Sequence, residues 1–266
     1  MKKKKLLGLA ALLSVLLIIS LVVSFGIVDT SRFSLLSAPG TAESTQTTAN
    51  VFVDPDKIIG DYQLDPGYKI GDKFQIKLNI SAVTDLYTWN VKIAWNSTIL
   101  NFTRIVSYGD FLARTTSPHG TSRIFDIVSA SNETGYAAIA ESILGDYPGI
   151  GGNGTLVTIE FLIVGYGSTD LTISIDGQLP TQLLDSPGTN ITFTSIGSYF
   201  RNKLAGDANG DKTVDIYDAA AVSAHWYPGP PVGPLGYYRE SDINLDGEVG
   251  LYDAAAVSAN WNRNVP

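Results

Sequence analysis

One acidic pattern of twelve residues occurs twice in the last sixty residues of the chain, and each copy runs directly into the same apolar segment. The first copy places Asp207, Asn209, Asp211, Thr213, Asp215 and Asp218 at positions 1, 3, 5, 7, 9 and 12. The second places Asp242, Asn244, Asp246, Glu248, Gly250 and Asp253 there. Both continue as Ala-Ala-Ala-Val-Ser-Ala and reach Trp226 or Trp261, so that thirteen of twenty aligned positions are identical at an offset of 35. Oxygen donors at this spacing suit a hard cation. Ca²⁺ takes about six to eight oxygens, and a twelve-residue loop offers them from these positions, with position 7 using its backbone carbonyl. Gly250 at position 9 leaves room for a bridging water. A lone Asp-x-Asn-x-Asp also occurs in plain Asx-turns. Two copies in register, each leading into the same helix-like run, point to two calcium ions.

The charge balance fits a metal requirement. From Asp207 onward there are nine carboxylates against three bases, a net charge of −6 that two Ca²⁺ would bring to −2. A segment this small buries little apolar surface and needs a staple, either disulfide or metal. The chain has no cysteine, so metal is the staple available, and its binding energy is then folding energy. The expected small core is Val214 and Val249 at loop position 8, with Ala219, Val222 and Trp226, and Ala254, Val257 and Trp261, at helical spacing.

An ordinary EF-hand loop lies between two helices, has Gly at position 6 and ends on a bidentate Glu. Here position 12 is Asp in both copies, and Lys212 stands at position 6 of the first. The stretch 201–206 is too short for an entering helix, and four prolines interrupt 228–236, which breaks helices. Each repeat is therefore a loop followed by one helix. Two loop-helix repeats ending in Asp resemble the type I-like dockerin module of cellulosome-type assemblies, over about residues 205–263. The resemblance implies that partner recognition centres on the two residues before the last ligand of each loop. Here these are Ile216-Tyr217 and Leu251-Tyr252, more apolar than the small hydroxyl residues common in the family. An aromatic beside an aliphatic residue is hot-spot chemistry. Ile216 and Leu251 either contact the partner or pack inward, and the tyrosines are the stronger contact candidates.

At the other end, Lys2 to Lys5 precede an apolar run over residues 6–28. A positive start followed by an apolar stretch is an export signal, and this one reaches the roughly twenty residues that span a bilayer. Residues 1–28 thus read as a cleaved signal peptide or an uncleaved signal-anchor, with the rest of the chain extracellular or at the cell surface. Membrane contact is confined to that segment. Residues 29–50 are a Ser/Thr-rich tether. Six Asn-x-Ser/Thr sequons, at Asn79, Asn96, Asn101, Asn132, Asn153 and Asn190, are compatible with surface glycosylation.

Residues 51–200 carry β signals throughout. Phe74, Ile76, Leu78 and Ile80 alternate with polar residues, as do Tyr87, Trp89, Val91, Ile93 and Trp95. Further strands are expected over 123–130, 136–142, 155–165, 171–175 and 190–195, separated by turns rich in Gly, Pro, Asn and Asp. Many short alternating strands in about 150 residues imply a two-sheet sandwich or jelly roll. The blocks Gly71 to Ile80, Asp85 to Asn96, Ile99 to Phe102, Gly109 to Leu112, Gly154 to Phe161 and Leu183 to Gly188 resemble a cohesin-type domain. The expected fold class is therefore mainly β: a cohesin-like jelly-roll sandwich (51–200), a connecting segment (201–206) and a small all-α calcium-binding module (207–266).

Catalytic signals are thin. The two histidines, His119 and His225, read as surface positions, and a Ser-His-Asp unit would need one of them. Glu141 with Asp146 is the least implausible carboxylate pair for a glycosidase, and alternation sends Glu160 to solvent. The net charge of −8 lacks the basic footprint of a nucleic-acid binder. The sequence therefore reads as a non-catalytic adaptor that joins cohesin-bearing and dockerin-bearing proteins through its two modules, itself included in head-to-tail contacts. Polysaccharide-degrading or cell-surface complexes are the setting this implies. The alternative is a carbohydrate-binding surface protein with a calcium-stabilised C-terminal module. In that case Tyr87, Trp89 and Trp95 are the sugar platform, although sharing one face of a strand favours core packing for them.

Overall fold

The computed structural model describes residues 48–112, 116–117, 120–121, 123–144, 147–227 and 238–265. The apolar run at 6–28, His119, Asp146 and the proline-rich stretch at 228–236 lie outside them. Among the described residues, no helix is long and apolar enough to cross a membrane.

The chain between Ala49 and Arg201 is built of strands. In order these are β1 (Ala49–Asp54), β2 (Lys57–Ile59), β3 (Lys73–Leu86), β4 (Thr88–Ala94) and β5 (Leu100–Tyr108). There follow β6 (Thr116–Ser117), β7 (Gly120–Thr121), β8 (Arg123–Ser131), β9 (Tyr136–Leu144) and β10 (Ile150–Ile163). The last four are β11 (Ser168–Ile173), β12 (Gln182–Leu184), β13 (Phe193–Ile196) and β14 (Ser198–Arg201). One sheet runs β13-β1-β3-β10-β5. The other runs β2-β14-β11-β4-β9-β8, with β12 also paired to β4, and β6 and β7 form a small separate hairpin.

The alternation seen in the sequence sets which face of each strand meets the core. Ile76, Leu78 and Ile80 of β3 are buried, as are Trp89, Val91 and Ile93 of β4. They meet Ile159, Phe161 and Ile163 of β10 in one continuous cluster between the sheets. Trp95 lies edge-on to Phe161 with ring centroids 4.9 Å apart. Its indole N–H donates to the Leu100 carbonyl at 2.7 Å, so its one polar atom is satisfied inside the core.

Four expectations change. The first sheet begins inside the stretch read as tether: Ala49 is buried and pairs with Phe193, and Asn50 pairs with Ser81. Glu160 faces away from the core, as alternation requires, yet is not solvated. Lys73, Arg104 and Thr103 cover its carboxylate, with Nζ and Nε each at 3.2 Å and the Thr103 hydroxyl at 2.9 Å. The Arg104 guanidinium and the Thr103 hydroxyl hold that carboxyl down at about 2.

Trp226 and Trp261 do not anchor the small core. They are 48% and 45% exposed, because the helices end at Ala224 and Ala259, so helical spacing no longer carries the tryptophans inward. Finally, residues 201–206 are not an exposed connector. Arg201, Asn202, Lys203 and Leu204 are all buried, because the C-terminal module packs directly against the end of the sandwich. The two form one compact unit, Gln46–Pro266.

Candidate functional site

Two short helices, Ile216–Ala224 and Leu251–Ala259, follow the two acidic loops. Their inward faces present Val222 and Val257, which join Leu204, Ala208, Val214, Ile243 and Val249 in a second apolar cluster. Each loop is braced by the chain that follows the other loop's helix. Val214 N–H donates to the Arg263 carbonyl at 2.8 Å, and Asn262 N–H donates to the Val214 carbonyl at 2.9 Å. Val249 and Tyr227 exchange backbone bonds at 2.8 and 2.9 Å in the same way. The repeat in sequence thus becomes a two-fold pattern of cross-bracing.

Position 12 closes each loop. Asp218 Oδ1 accepts the N–H groups of Ala208 and Asn209 at 2.8 and 3.1 Å, and its Oδ2 accepts Asp215 N–H at 2.8 Å. Asp253 repeats this with Ile243, Asn244 and Gly250 at 2.6, 3.3 and 2.7 Å. A carboxylate in the first helical turn also meets the positive end of the helix dipole. The short Asp side chain serves both loop and helix here, where a Glu would reach past them.

Position 1 fixes the opposite side. Asp207 accepts Gly210 N–H at 2.7 Å and Lys212 N–H at 3.1 Å; Asp242 accepts Asp246 N–H at 3.2 Å and Gly247 N–H at 2.9 Å. Positions 3 and 5 follow suit: Asn209 Oδ1 accepts Asp211 N–H, and Asp211 Oδ1 accepts Thr213 N–H, both at 2.9 Å. Asn244 and Asp246 repeat the arrangement at 3.1 and 2.9 Å, the latter bond coming from Glu248 N–H. Asp215 at position 9 caps the first helix through Tyr217 N–H at 2.8 Å, a bond that Gly250 lacks the side chain to make. At position 6 both loops need a left-handed residue, Gly247 with φ 95° and Lys212 with φ 76°.

Asp207, Asp218, Asp242 and Asp253 are almost fully buried. Burial pushes the Asp218 carboxyl up, and the Asp207 charge adds to the rise against the pull of its backbone donors. Buried like charges of this kind call for a cation. Among the described residues no three His, Cys, Asp or Glu side chains already converge on one point. The donor set of a twelve-residue loop also includes amide and backbone carbonyl oxygens, here Asn209, Asn244 and the carbonyls of Thr213 and Glu248. The residues fit a hard cation.

The outward faces are different in kind. Ile216, Tyr217, Leu251 and Tyr252 are 61%, 68%, 72% and 74% exposed. Ile216 and Leu251 therefore do not pack inward, and each helix start exposes an aliphatic residue beside a tyrosine.

On the far side the module is clasped by the sandwich. Arg263 pairs with Asp61 at 2.6 Å, and Lys203 with Glu240 at 2.6 Å, while Arg239 pairs with Asp170. Glu240 also accepts the hydroxyls of Ser168 and Tyr199, at 2.7 and 3.1 Å. Burial works against the Glu240 carboxylate, yet Lys203 and these hydroxyls keep its pKa below the usual range. Sequence reasoning missed this clasp. Asp61, Tyr166 and Arg201 belong to no motif, and only the unalternating run Ser198–Arg201, buried on both faces, hints at a covering layer.

Other candidates of the sequence resolve plainly. Trp89 is fully buried and donates its indole N–H to the buried Glu141 at 3.1 Å, so both stand inside the sandwich. Trp89 and Trp95 therefore offer no sugar-stacking platform. His225 is the residue after the first helix, stacked on Tyr238 and bonded to Ser241 at 2.8 Å.

Residues 205–262 match the family model of the dockerin type I domain. No protein of curated function matches the chain. Solved structures similar to it include a non-cellulosomal cohesin from the archaeon Archaeoglobus fulgidus. That match has 15% identity and a TM-score of 0.41, covering 61% of this chain and 96% of that one. A type II cohesin module from the adaptor ScaA scaffoldin of Acetivibrio cellulolyticus has 14% identity and a TM-score of 0.44, covering 57% and 88%. The third cohesin of ScaC from the same organism, in complex with the ScaB dockerin, has 13% identity and a TM-score of 0.45, covering 59% and 99%. The chain thus carries a dockerin type I domain at residues 205–262, behind a mainly β domain similar to cohesin modules.

Proposed function

We propose that the chain is a non-catalytic extracellular adaptor whose C-terminal module, folded around two calcium ions, docks on a cohesin-bearing partner. One observation carries this reading. The same short helices bury Val222 and Val257 while they expose Ile216, Tyr217, Leu251 and Tyr252, on a module whose clasp to its own sandwich uses other residues. The docking face is left free by the fold of its own chain.

In this reading Asp207, Asn209, Asp211, Thr213, Asp215 and Asp218 hold one ion. Asp242, Asn244, Asp246, Glu248 and Asp253 hold the other. Calcium supplies charge neutralisation and loop closure, and so makes the module's surface. The sandwich, from its motif resemblance, is the receptor for dockerin-bearing partners, and head-to-tail pairing with a second copy follows where the surfaces match. Heterologous contacts of this kind give open chains where the rotation between copies does not close a ring. The clasp holds the module against its own sandwich, which favours pairing between chains.

The test is capture of purified cohesin modules by the full chain in calcium and in EGTA. Capture in calcium alone, lost on replacing both Tyr217 and Tyr252 by Ala, supports the reading. Equal capture in EGTA, or none in calcium across a panel of cohesins, contradicts it.

A further inference from the structure

The sandwich reaches into both acidic loops. Tyr166, in the turn between β10 and β11, donates its hydroxyl to Asp207 Oδ2 at 2.5 Å and accepts Leu204 N–H at 2.7 Å. Its ring lies edge-on to Tyr62 with centroids 5.5 Å apart, and both rings pack against the apolar cluster of the C-terminal module. At the second loop, Arg201 at the end of β14 donates from Nη1 to the Asp242 carbonyl at 3.3 Å and from Nη2 to the Ile243 carbonyl. Lys57 of β2 donates to the Leu245 carbonyl at 3.0 Å. Donors from outside the repeat therefore land on position 1 of the first loop and on positions 1, 2 and 4 of the second.

We propose that Tyr166, Arg201 and Lys57 are positioning residues for calcium, so that the sandwich sets part of the calcium affinity of the C-terminal module. The inference rests on the calcium reading above. A carboxylate that ligates a metal is oriented by the hydrogen bonds to its outer side, and losing such a partner weakens metal binding roughly 10- to 100-fold. Tyr166 is that kind of partner for Asp207, beside the loop's own Gly210 and Lys212 N–H groups. Arg201 and Lys57 act on the backbone: a loop whose carbonyls are already held has less conformational freedom to lose when the ion arrives.

The coupling is reciprocal, as binding free energies require. Calcium in the loops must tighten the joint between module and sandwich by the same factor by which the joint tightens calcium. The ion thus fixes how the docking surface is carried relative to the sandwich.

The experiment is calcium titration by calorimetry on the full chain as wild type, Tyr166→Phe, Lys57→Met and Arg201→Met, with thermal unfolding of each in calcium and in EGTA. Tyr166→Phe keeps the ring and its packing and removes only the hydroxyl. Lys57 is solvent-exposed at its strand, so its substitution leaves the core intact. The expected result is a roughly tenfold weaker site in each single variant. Combining Tyr166→Phe with Lys57→Met then weakens both sites. The variants' melting temperatures fall further in calcium than in EGTA. A merely structural role lowers the melting temperature equally in both and leaves the calcium constants unchanged, which overturns the proposal. Tighter binding by Lys57→Met also overturns it, since charge repulsion from the lysine would then outweigh positioning. No calcium uptake by the wild type removes the calcium reading itself, and this inference with it.

Discussion

Asp61, just after β2, takes both terminal nitrogens of Arg263, at 2.6 and 2.8 Å, across 202 residues of chain. The same carboxylate accepts the N–H groups of Ala205, Gln63 and Leu64 at 2.7, 2.8 and 3.0 Å. One side chain of the sandwich thereby holds the segment entering the C-terminal module and the segment leaving it. Beside it, Gln63 donates to the Asn264 carbonyl at 2.5 Å and accepts from Arg263 Nε at 3.3 Å.

Removing the acid from that clasp is costly. Asp61→Asn leaves a largely buried guanidinium without its counter-charge, which costs about 3 kcal/mol. Urea unfolding of the variant should show the midpoint moving down with the slope unchanged, and Arg263→Met should lose less because the Asp61 carboxylate left behind keeps the N–H donors of Ala205, Gln63 and Leu64.

The same pair gives a pH dependence. Burial works against the Asp61 carboxylate, but the Arg263 guanidinium and the backbone donors outweigh it and hold its pKa at about 2, below the usual 3.8. A carboxyl depressed by folding stabilises the fold fully above its unfolded pKa. That contribution, about 2 kcal/mol, is lost as pH falls from about 4 through 2. Acid unfolding followed by circular dichroism checks this, and in Asp61→Asn the loss over that window should be smaller.

Position 6 of the first loop carries strain that the second avoids. Lys212 sits at φ 76° where the equivalent residue is Gly247 at φ 95°. A side chain in the left-handed region costs roughly 1 kcal/mol. Lys212→Gly should therefore raise the melting temperature by about 3 °C, offset in part by the entropy glycine adds to the unfolded chain. Gly247→Ala should lower it by a similar amount, as differential scanning calorimetry can show.

The two helices present nearly the same exposed pair, and the proposed docking therefore predicts two orientations related by a half-turn. Tyr217→Ala alone should weaken cohesin binding little, because the Leu251-Tyr252 face still serves. Replacing Tyr217 and Tyr252 together should abolish binding, a loss of at least about 2 kcal/mol per anchor. Surface plasmon resonance on the two single variants and the double variant measures this, and a large loss in a single variant contradicts two-way docking.

Much of this is legible in the sequence, and for physical reasons. Loop chemistry is local: Asp218 meets Ala208 and Asn209 within ten residues of chain, so the pattern alone locates the loop. Alternation in β3 and β4 reports a face, and those faces are the core. The clasp was not legible, because Asp61 and Arg263 or Tyr166 and Asp207 meet only through tertiary packing. β14 escaped notice for the same reason: Phe200 faces the core while Tyr199 and Arg201 face the C-terminal module, which erases the alternation. Trp226 and Trp261 misled because periodicity cannot show where a helix stops, and these helices stop two residues earlier.

If calcium builds the docking surface, the affinity of the full chain for a purified cohesin module must depend on calcium, and a calcium titration that starts from EGTA measures that dependence. The expected result is no measurable binding in EGTA and a rise that tracks occupancy of the two loops. Loss of that rise should accompany Asp218→Ala combined with Asp253→Ala. Binding of equal strength in EGTA, or in that double variant, would contradict it.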